Sequence, residues 1–298
     1  MTGFRQPHAL GPDSGYFRAG SALASYRRML TPHRPLRVAV LCSHRAPGLL
    51  HLLNRSPDRG ATFEIVCVVS SELTFEEEVR VERRGIPTLT HPIRAFYGAH
   101  DASLFHGLRV RAAYDQETAD MLEPFMPDVL VLDRYGYLVT TPLLAAFPAR
   151  VVGLQFGDLT IRHLDGPPMF SGPHAVRDAI LAGCSETRAT VHLVNEHPDS
   201  GPAIVRSWPF PVSPLVEALQ SQTARDVIDA YVFAHEQWMA RTASGPLIAA
   251  ALRLIATGAV DPHVLAELPP PWPWQLEPDG DLYEVSRALE HQFAVEVS

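Results

Sequence analysis

Two side chains able to move protons lie close together in the stretch Ala189-Thr-Val-His192-Leu-Val-Asn-Glu-His-Pro-Asp199-Ser-Gly-Pro-Ala-Ile204. His192 is an imidazole that titrates near neutrality, and Asp199 is a carboxylate on the turn that follows. Apolar alternation through Val191 and Leu193, with the run from Ala203 to Val205, predicts two strands joined by that polar turn. An aspartate fixed at such a turn can border a cleft, where fixed neighbours set its hydrogen bonds and its hold on a proton. Taken alone, the stretch reads more simply as a hairpin whose Asp and Gly are ordinary turn residues. Its surroundings decide between the two.

The chain has 298 residues, 46% of them hydrophobic and 19% charged, which is enough to bury a substantial core in one large α/β domain or two domains. A net charge of −8 argues against broad nucleic-acid binding, though a local basic patch can still hold a phosphorylated substrate. Cys42, Cys67 and Cys184 are widely spaced and form no Cys-x-x-Cys pair, so free thiols of a reducing cytoplasm are expected and no metal site. No signal-peptide layout is present, and no apolar run spans a membrane; Gly245 to Ile255 is short and carries Arg253.

Residues 1–35, rich in Gly, Pro, Ser and Arg, read as an extension with one short helix near Ser21–Leu30. The apolar runs Leu36–Ser43 and Phe63–Ser70 predict buried parallel strands, followed by Ile86–Thr90, Asp128–Asp133 and Val151–Leu154. Between them the pattern predicts helices over Gly48–Arg55, Thr74–Arg84, Arg111–Met126 and Pro142–Phe147, with 92–110 as a loop. A Pro/Gly-rich loop, Asp165–Gly172, leads to a helix over Pro173–Ala182 and then to the hairpin. Beyond it, two helices are expected, Ala224–Ala240 and Pro246–Thr257, broken near Gly245-Pro246. A stiff Pro269–Trp274 tail and a short helix over Leu282–Gln292 follow.

Alternating strands and helices of this kind predict a doubly wound, mostly parallel sheet with a helical C-terminal extension. Ligands of such sheets bind beyond the carboxyl ends of the strands, which marks Ser43–Gly48, Asp133–Tyr137 and Leu154–Asp158.

From Leu36 to Gly258 the ordered elements resemble the folate-dependent formyltransferases, in particular the glycinamide ribonucleotide formyltransferase branch. Arg111-Ala-Ala-Tyr-Asp115 followed by Pro127-Asp-Val-Leu-Val-Leu132 is similar to the family's helix and fourth strand. Arg134-Tyr135-Gly136-Tyr137-Leu138 falls where the family has the loop bordering the folate pterin. Gly172-Pro-His174-Ala-Val-Arg177 resembles its Gly-x-His-x-x-Arg helix, and Thr190-Val-His192 with Asp199-Ser-Gly-Pro resembles its Ser-Val-His…Asp-Gly-Gly-Pro hairpin. His235-Glu236, Pro246-Leu-Ile248 and Thr257-Gly258 are similar to its closing helices. The resemblance implies a Rossmann-like formyltransferase fold, with residues 36–212 as the catalytic domain and 213–298 packing on it as C-terminal helices and a Pro/Trp-rich tail. It also implies an enzyme of one-carbon metabolism that moves a formyl group from 10-formyltetrahydrofolate to a small-molecule amine. In such acyl transfer an oxyanion builds up and protons must pass from the amine to the folate nitrogen.

The chain departs from the family in three places. The catalytic Asn-x-His pair is absent from Gly153-Leu-Gln155-Phe-Gly-Asp158. Without a gap Gly153 and Gln155 take its two places; with a one-residue shift aligning Asp158-Leu159 they go to Leu154 and Phe156. Neither alignment supplies an imidazole. Gln155 can donate a hydrogen bond but is no general acid near neutrality. The glycine-rich phosphate loop is replaced by Ser43-His44-Arg45-Ala46-Pro47-Gly48, where Pro47 removes an amide donor and His44 and Arg45 offer cations for a different anion. Arg188 replaces a glycine and is expected to face solvent.

These observations give Asp199, His192, His174 and Gln155 as candidate catalytic residues, with His163 as a further proton-transfer candidate. Arg134, Tyr135, Gly136, Tyr137, Leu138 and Asp199 are the candidate folate-binding residues. Ser43, His44, Arg45, Gly48 and Asp158 are the candidates for the acceptor. The favoured reading is a divergent formyltransferase acting on a non-ribonucleotide amine, since the folate-side loop and Asp199 persist. A catalytically degenerate folate- or ligand-binding pseudoenzyme is the alternative. Hydrolysis of the formyl donor is less favoured, because it relies on the missing histidine and no regulatory domain precedes the fold. A homodimer is left open.

Overall fold

The computed structural model describes residues 4–5, 34–104, 107–164, 166–214, 216, 225–269 and 273–277. The expected helices near Ser21–Leu30 and over Leu282–Gln292 lie outside the described residues. In chain order the elements are β1 (Phe4–Arg5), β2 (Leu36–Cys42), α1 (Pro47–Asn54), β3 (Phe63–Ser70), α2 (Glu78–Glu82), β4 (Thr88–Thr90), α3 (Ile93–Ala99) and α4 (Leu108–Leu122). A 3-10 turn at Glu123–Phe125 leads into β5 (Val129–Asp133), α5 (Thr141–Ala146), β6 (Val151–Gln155) and α6 (Ala175–Leu181). Then come β7 (Glu186–Thr187), β8 (Thr190–Leu193), β9 (Ala203–Arg206), β10 (Phe210–Pro211), α7 (Arg225–Ala256), α8 (Pro262–Glu267) and β11 (Trp274–Leu276).

Among the described residues the main sheet runs β1-β11-β9-β8-β6-β5-β2-β3-β4. Strands β4, β3, β2, β5 and β6 are parallel, as their near-continuous Val, Ile and Leu content requires when helices cover both faces. β8 returns antiparallel to β6, and β9 antiparallel to β8, so the hairpin is stitched into the sheet beside the last parallel strand. One face carries Val38, Val40, Val129, Val131 and Val152 beneath α1 and α7; the other carries Leu41, Leu130 and Val151 beneath α4 and α5. This is the mostly parallel α/β sheet that the strand pattern predicts.

Three expectations change. Residues 92–110 are not all loop: α3 forms directly after Pro92, whose fixed φ suits a helix start, and buries Ile93 and Tyr97. Gly245-Pro246 does not break the last helix; α7 runs through it for 32 residues. Proline in a helix interior costs about 3 kcal/mol, but here Met239, Ala243, Leu247, Ile248, Ala251 and Leu252 on both sides are buried in the same core. The proline-rich tail ends as strand β11, which pairs parallel with β9 at the sheet's margin. Its prolines precede the strand and so remove no ladder hydrogen bond from it.

Helices α1 and α7 cross closely. A Cβ at Gly48 would lie 2.5 Å from Ile248 Cδ1, and one at Gly245 would lie 2.1 Å from His51 Cβ. Glycine at both positions is what lets the two backbones meet.

Candidate active site

The loops that leave β2, β5 and β6 touch in sequence at the carboxyl edge of the sheet. Gly136 N–H donates to Ser43 Oγ at 3.4 Å, joining the loop after β5 to the loop after β2. Arg134, held at a φ of 54°, places its guanidinium 5.7 Å from the Phe156 ring centroid, joining the loop after β5 to that after β6. Gln155 Nε2 donates to the Gly172 carbonyl at 2.7 Å, and the Gly172 N–H donates to Asp199 Oδ2 at 2.5 Å. The hairpin turn is thereby tied to the loop after β6. Asp199 itself adopts a left-handed φ of 53°, within a turn in which Asn195 Oδ1 accepts from His197 N–H and Ser200 Oγ.

The second Asp199 oxygen faces His192 Nε2 at 3.8 Å. His192 Nδ1 lies 2.9 Å from the Leu193 carbonyl, which only accepts, so Nδ1 carries the hydrogen and Nε2 presents its lone pair to the carboxylate. Burial holds His192 below the usual histidine range against the opposing pull of Asp199, so the ring is neutral at pH 7. A β-bulge between Val191 and His192 in the β8–β9 pairing sets the ring at this position. Its space is provided by Gly153, the residue opposite it on β6. A Cβ at position 153 would come within 3.2 Å of His192 Nε2 and 3.0 Å of Val194 Cγ2. Glycine at position 153 therefore makes room for an imidazole delivered from the neighbouring strand.

His174 is exposed at the start of α6, and His163 is exposed in the loop before it. Among the described residues neither makes a hydrogen bond to Asp199; the imidazole beside that carboxylate is His192. Half-buried Glu236 of α7 feels the charges of Arg134 and His174, while burial raises its pKa.

In the loop after β5, Arg134, Gly136 and Leu138 are exposed. Tyr135 turns inward, where its hydroxyl accepts from Arg111 Nη2, and Tyr137 donates to Glu72 Oε1 at 2.6 Å. Arg111 is buried, pairs with buried Asp115 at 2.8 Å, and lies 4.9 Å from the Tyr114 ring centroid. Asp115 in turn accepts both the N–H and the hydroxyl of Thr140 at 2.6 Å, fixing the far end of this loop.

The acceptor-side candidates are engaged within the protein. Arg45 pairs with Glu76 at 2.7 Å, and His44 Nδ1 lies 3.4 Å from Thr74 Oγ1. Gly48 is buried beneath Ile248. Asp158 caps Thr160 N–H at 3.0 Å and meets Arg206 and Arg188 at 3.4 and 3.7 Å. Arg188 does not face solvent: it spans Asp158, Glu186 and the Ser207 carbonyl, drawn in by two carboxylates.

Two acidic residues outside the candidate set close the start of α1. Asp133, the last residue of β5, is fully buried and accepts the Leu49 N–H at 2.8 Å through Oδ2. Its Oδ1 has no hydrogen-bond partner among the described residues. Burial pushes its carboxyl up to about 7, against the opposing effect of the Leu49 N–H. Glu77 accepts the Ala46 N–H at 3.2 Å and is likewise raised by burial. The signal for Asp133 was legible: a lone acid ending an apolar strand at the ligand-binding edge. Its orientation was not.

Comparison with known proteins places this geometry. A family model described as formyl transferase matches residues 36–243. The chain belongs to that family. It is 28% identical over 179 residues to a formyltetrahydrofolate deformylase of Escherichia coli K12, covering 60% of this chain and 56% of that protein. It is 24% identical over 197 residues to the phosphoribosylglycinamide formyltransferase of Haemophilus influenzae, covering 65% of this chain and 83% of that one. The chain thus spans about half the length of the deformylase it matches. The fold is that of glycinamide ribonucleotide transformylase 1 from Symbiobacterium toebii, with a TM-score of 0.55 at 24% identity over 76% of this chain and 90% of that one. No helix among the described residues is long and apolar enough to cross a membrane.

Proposed function

We propose that this protein is an enzyme that transfers the formyl group of 10-formyltetrahydrofolate to a small-molecule amine that is not a ribonucleotide. The observation that supports this most directly is the Asp199 carboxylate held between the Gly172 N–H and the His192 imidazole, beside the joined loops.

In the proposed reaction a neutral amine nitrogen attacks the formyl carbon. A carbon–nitrogen bond forms and the carbonyl electron pair moves onto oxygen. Asp199 takes the proton released from the new ammonium, and His192 Nε2, neutral and facing it, stabilises that transfer or receives the proton. The proton then goes to the folate nitrogen as the old carbon–nitrogen bond breaks and the carbonyl reforms. The products are tetrahydrofolate and the N-formyl acceptor. Gln155 is a positioning residue in this scheme, since its amide fixes the Gly172 peptide whose N–H orients Asp199. The exposed Arg134, Gly136 and Leu138 are the candidates to border the folate.

A second reading, hydrolysis with water as nucleophile, is favoured by the 28% identity to a protein named formyltetrahydrofolate deformylase. The same carboxylate–imidazole pair would serve it. The experiment is to incubate the protein with 10-formyltetrahydrofolate and follow tetrahydrofolate release with and without a panel of primary amines. Amine-dependent release with a formylated amine by mass spectrometry supports transfer, and amine-independent release with free formate supports hydrolysis. A stable 5-deaza analogue of the donor is expected to raise the melting temperature. No shift at saturating analogue and no release in either arm would count against the enzyme and leave the pseudoenzyme reading.

A further inference from the structure

We propose that Asp133 and Glu77 are specificity-determining residues that close this protein's acceptor crevice to phosphate, so that its amine acceptor is an unphosphorylated molecule. The inference rests on the formyl-transfer reading for the word acceptor, but the closure itself stands on geometry.

A helix that starts at the carboxyl edge of a parallel sheet ordinarily offers unpaired amide N–H groups to an anion. Helix α1 starts at that edge, directly after β2, and its amides are taken. The Ala46 N–H is given to Glu77 Oε2 and the Leu49 N–H to Asp133 Oδ2. Pro47 has no N–H to give. The space where a Gly48 Cβ would stand is filled by Ile248 and Asp133. Both carboxylates come from outside the helix, one from the end of β5 and one from just before α2. The closure is therefore built by the sheet around the helix.

The neighbouring basic side chains do not reverse this. Arg45 is directed to Glu76 and His44 towards Thr74. A phosphate placed here would displace two carboxylates from the amides they hold. It would also press its anionic oxygens against two acceptor carboxyl groups with little water between them, because both residues are buried. A neutral or cationic group meets neither penalty.

The test titrates the full-length protein with glycinamide ribonucleotide and, separately, with inorganic phosphate, following melting temperature. The stable donor analogue is titrated in parallel. Wild type is expected to show no shift with either phosphate compound and, in a separate incubation of the ribonucleotide with 10-formyltetrahydrofolate, no formylated ribonucleotide by mass spectrometry. A concentration-dependent shift, or a formylated ribonucleotide, overturns the proposal. The analogue arm reads the donor site alone: its failure removes the formyl-transfer reading while the phosphate arm still reports on the closure. Asp133→Ser, which withdraws the carboxylate from the Leu49 amide, is expected to show a concentration-dependent melting shift over the phosphate range in which wild type shows none. If Asp133→Ser does not fold, Glu77→Gln takes its place in this arm. A variant that responds no more than wild type overturns the assignment of these two carboxylates.

Discussion

Asp133 ends β5 at the carboxyl edge of the sheet and Asp199 stands in the turn between β8 and β9, and their surroundings suit them to opposite uses. The Asp199 side chain keeps 18% of its surface open, receives one backbone N–H, and faces a neutral imidazole. Asp133 is sealed, and its carboxyl is pushed up to about 7 because ionising it there has little solvent support. The exposed carboxylate with a basic partner is the one able to exchange protons with a substrate. The sealed one holds the Leu49 N–H in the first turn of α1. Residue type is shared; backbone setting, access to solvent and the identity of the partner separate the two.

The comparison breaks most sharply at Asp199. Asp199→Asn keeps an oxygen to accept the Gly172 N–H but loses the proton acceptor. We expect kcat/KM for donor turnover to fall about 10²- to 10⁴-fold, with the melting temperature little changed. Steady-state kinetics beside a thermal melt decide it. A fully active variant would refute the site, and an unfolded one would make the carboxylate structural.

At the other end the expected effect is on stability and its pH dependence. Asp133 has a folded-state pKa near 7, above its ordinary 3.8, so its contribution is fully present below pH 3.8 and is lost as pH rises through 7. At about 1.4 kcal/mol per unit, the full loss is roughly 4 kcal/mol. Asp133→Asn cannot ionise, so relative to wild type it is expected to gain stability between pH 5 and 8, measured by urea unfolding at each pH. His235 and His192 run the other way. Burial lowers both, His235 to about 4, so their contribution is present above the usual histidine pKa of 6.5 and lost on acidification. Both proteins share that trend, and it cancels in the difference. Parallel wild-type and variant profiles would show that Asp133 carries no such strain.

Much of this was legible in the chain. The apolar runs at Leu36, Phe63, Val129 and Val151 are continuous because helices cover both faces of the strands, and that continuity marks a parallel sheet. The hairpin could be read because one of its strands alternates and Gly-Pro opens the other. What the residue order concealed is long-range. α7 passes through Pro246 because residues on both sides share one core, a tertiary effect that overrides local propensity. The use of Gly153 shows only when β8 is laid antiparallel on β6. Read along the chain, Gly153 is one small residue in an apolar strand; read across the sheet, it is the space that His192 occupies. Likewise the cations His44 and Arg45 suggest an anion site until Glu76 and Thr74 are folded against them.

That cross-strand relation supports a sharper test at the hairpin end. Gly153→Ala brings a methyl to 3.2 Å from His192 Nε2 and 3.0 Å from Val194 Cγ2. Overpacking of this kind costs about 1 to 3 kcal/mol. If His192 is the neighbour that must yield, the cost shrinks in a His192→Ala background. A double-mutant cycle then shows coupling on the order of 0.5 kcal/mol or more. Strict additivity would assign the clash to Val194 and separate Gly153 from the His192–Asp199 pair.

The smallest effect is expected at Arg45, and its smallness is the point. The Arg45–Glu76 pair leaves 60% and 55% of the two side chains exposed. Exposed pairs of this kind are worth about 1 kcal/mol or less. Arg45→Ala should therefore barely move the unfolding free energy. If α1 is closed by its own carboxylates, Arg45 has no acceptor anion to hold, and KM for the amine should change less than about twofold, far below the tenfold that 1.4 kcal/mol of lost binding produces. A tenfold rise in KM with kcat unchanged would instead mean that Arg45 leaves Glu76 to bind substrate, and the α1 end would then be a binding site that opens.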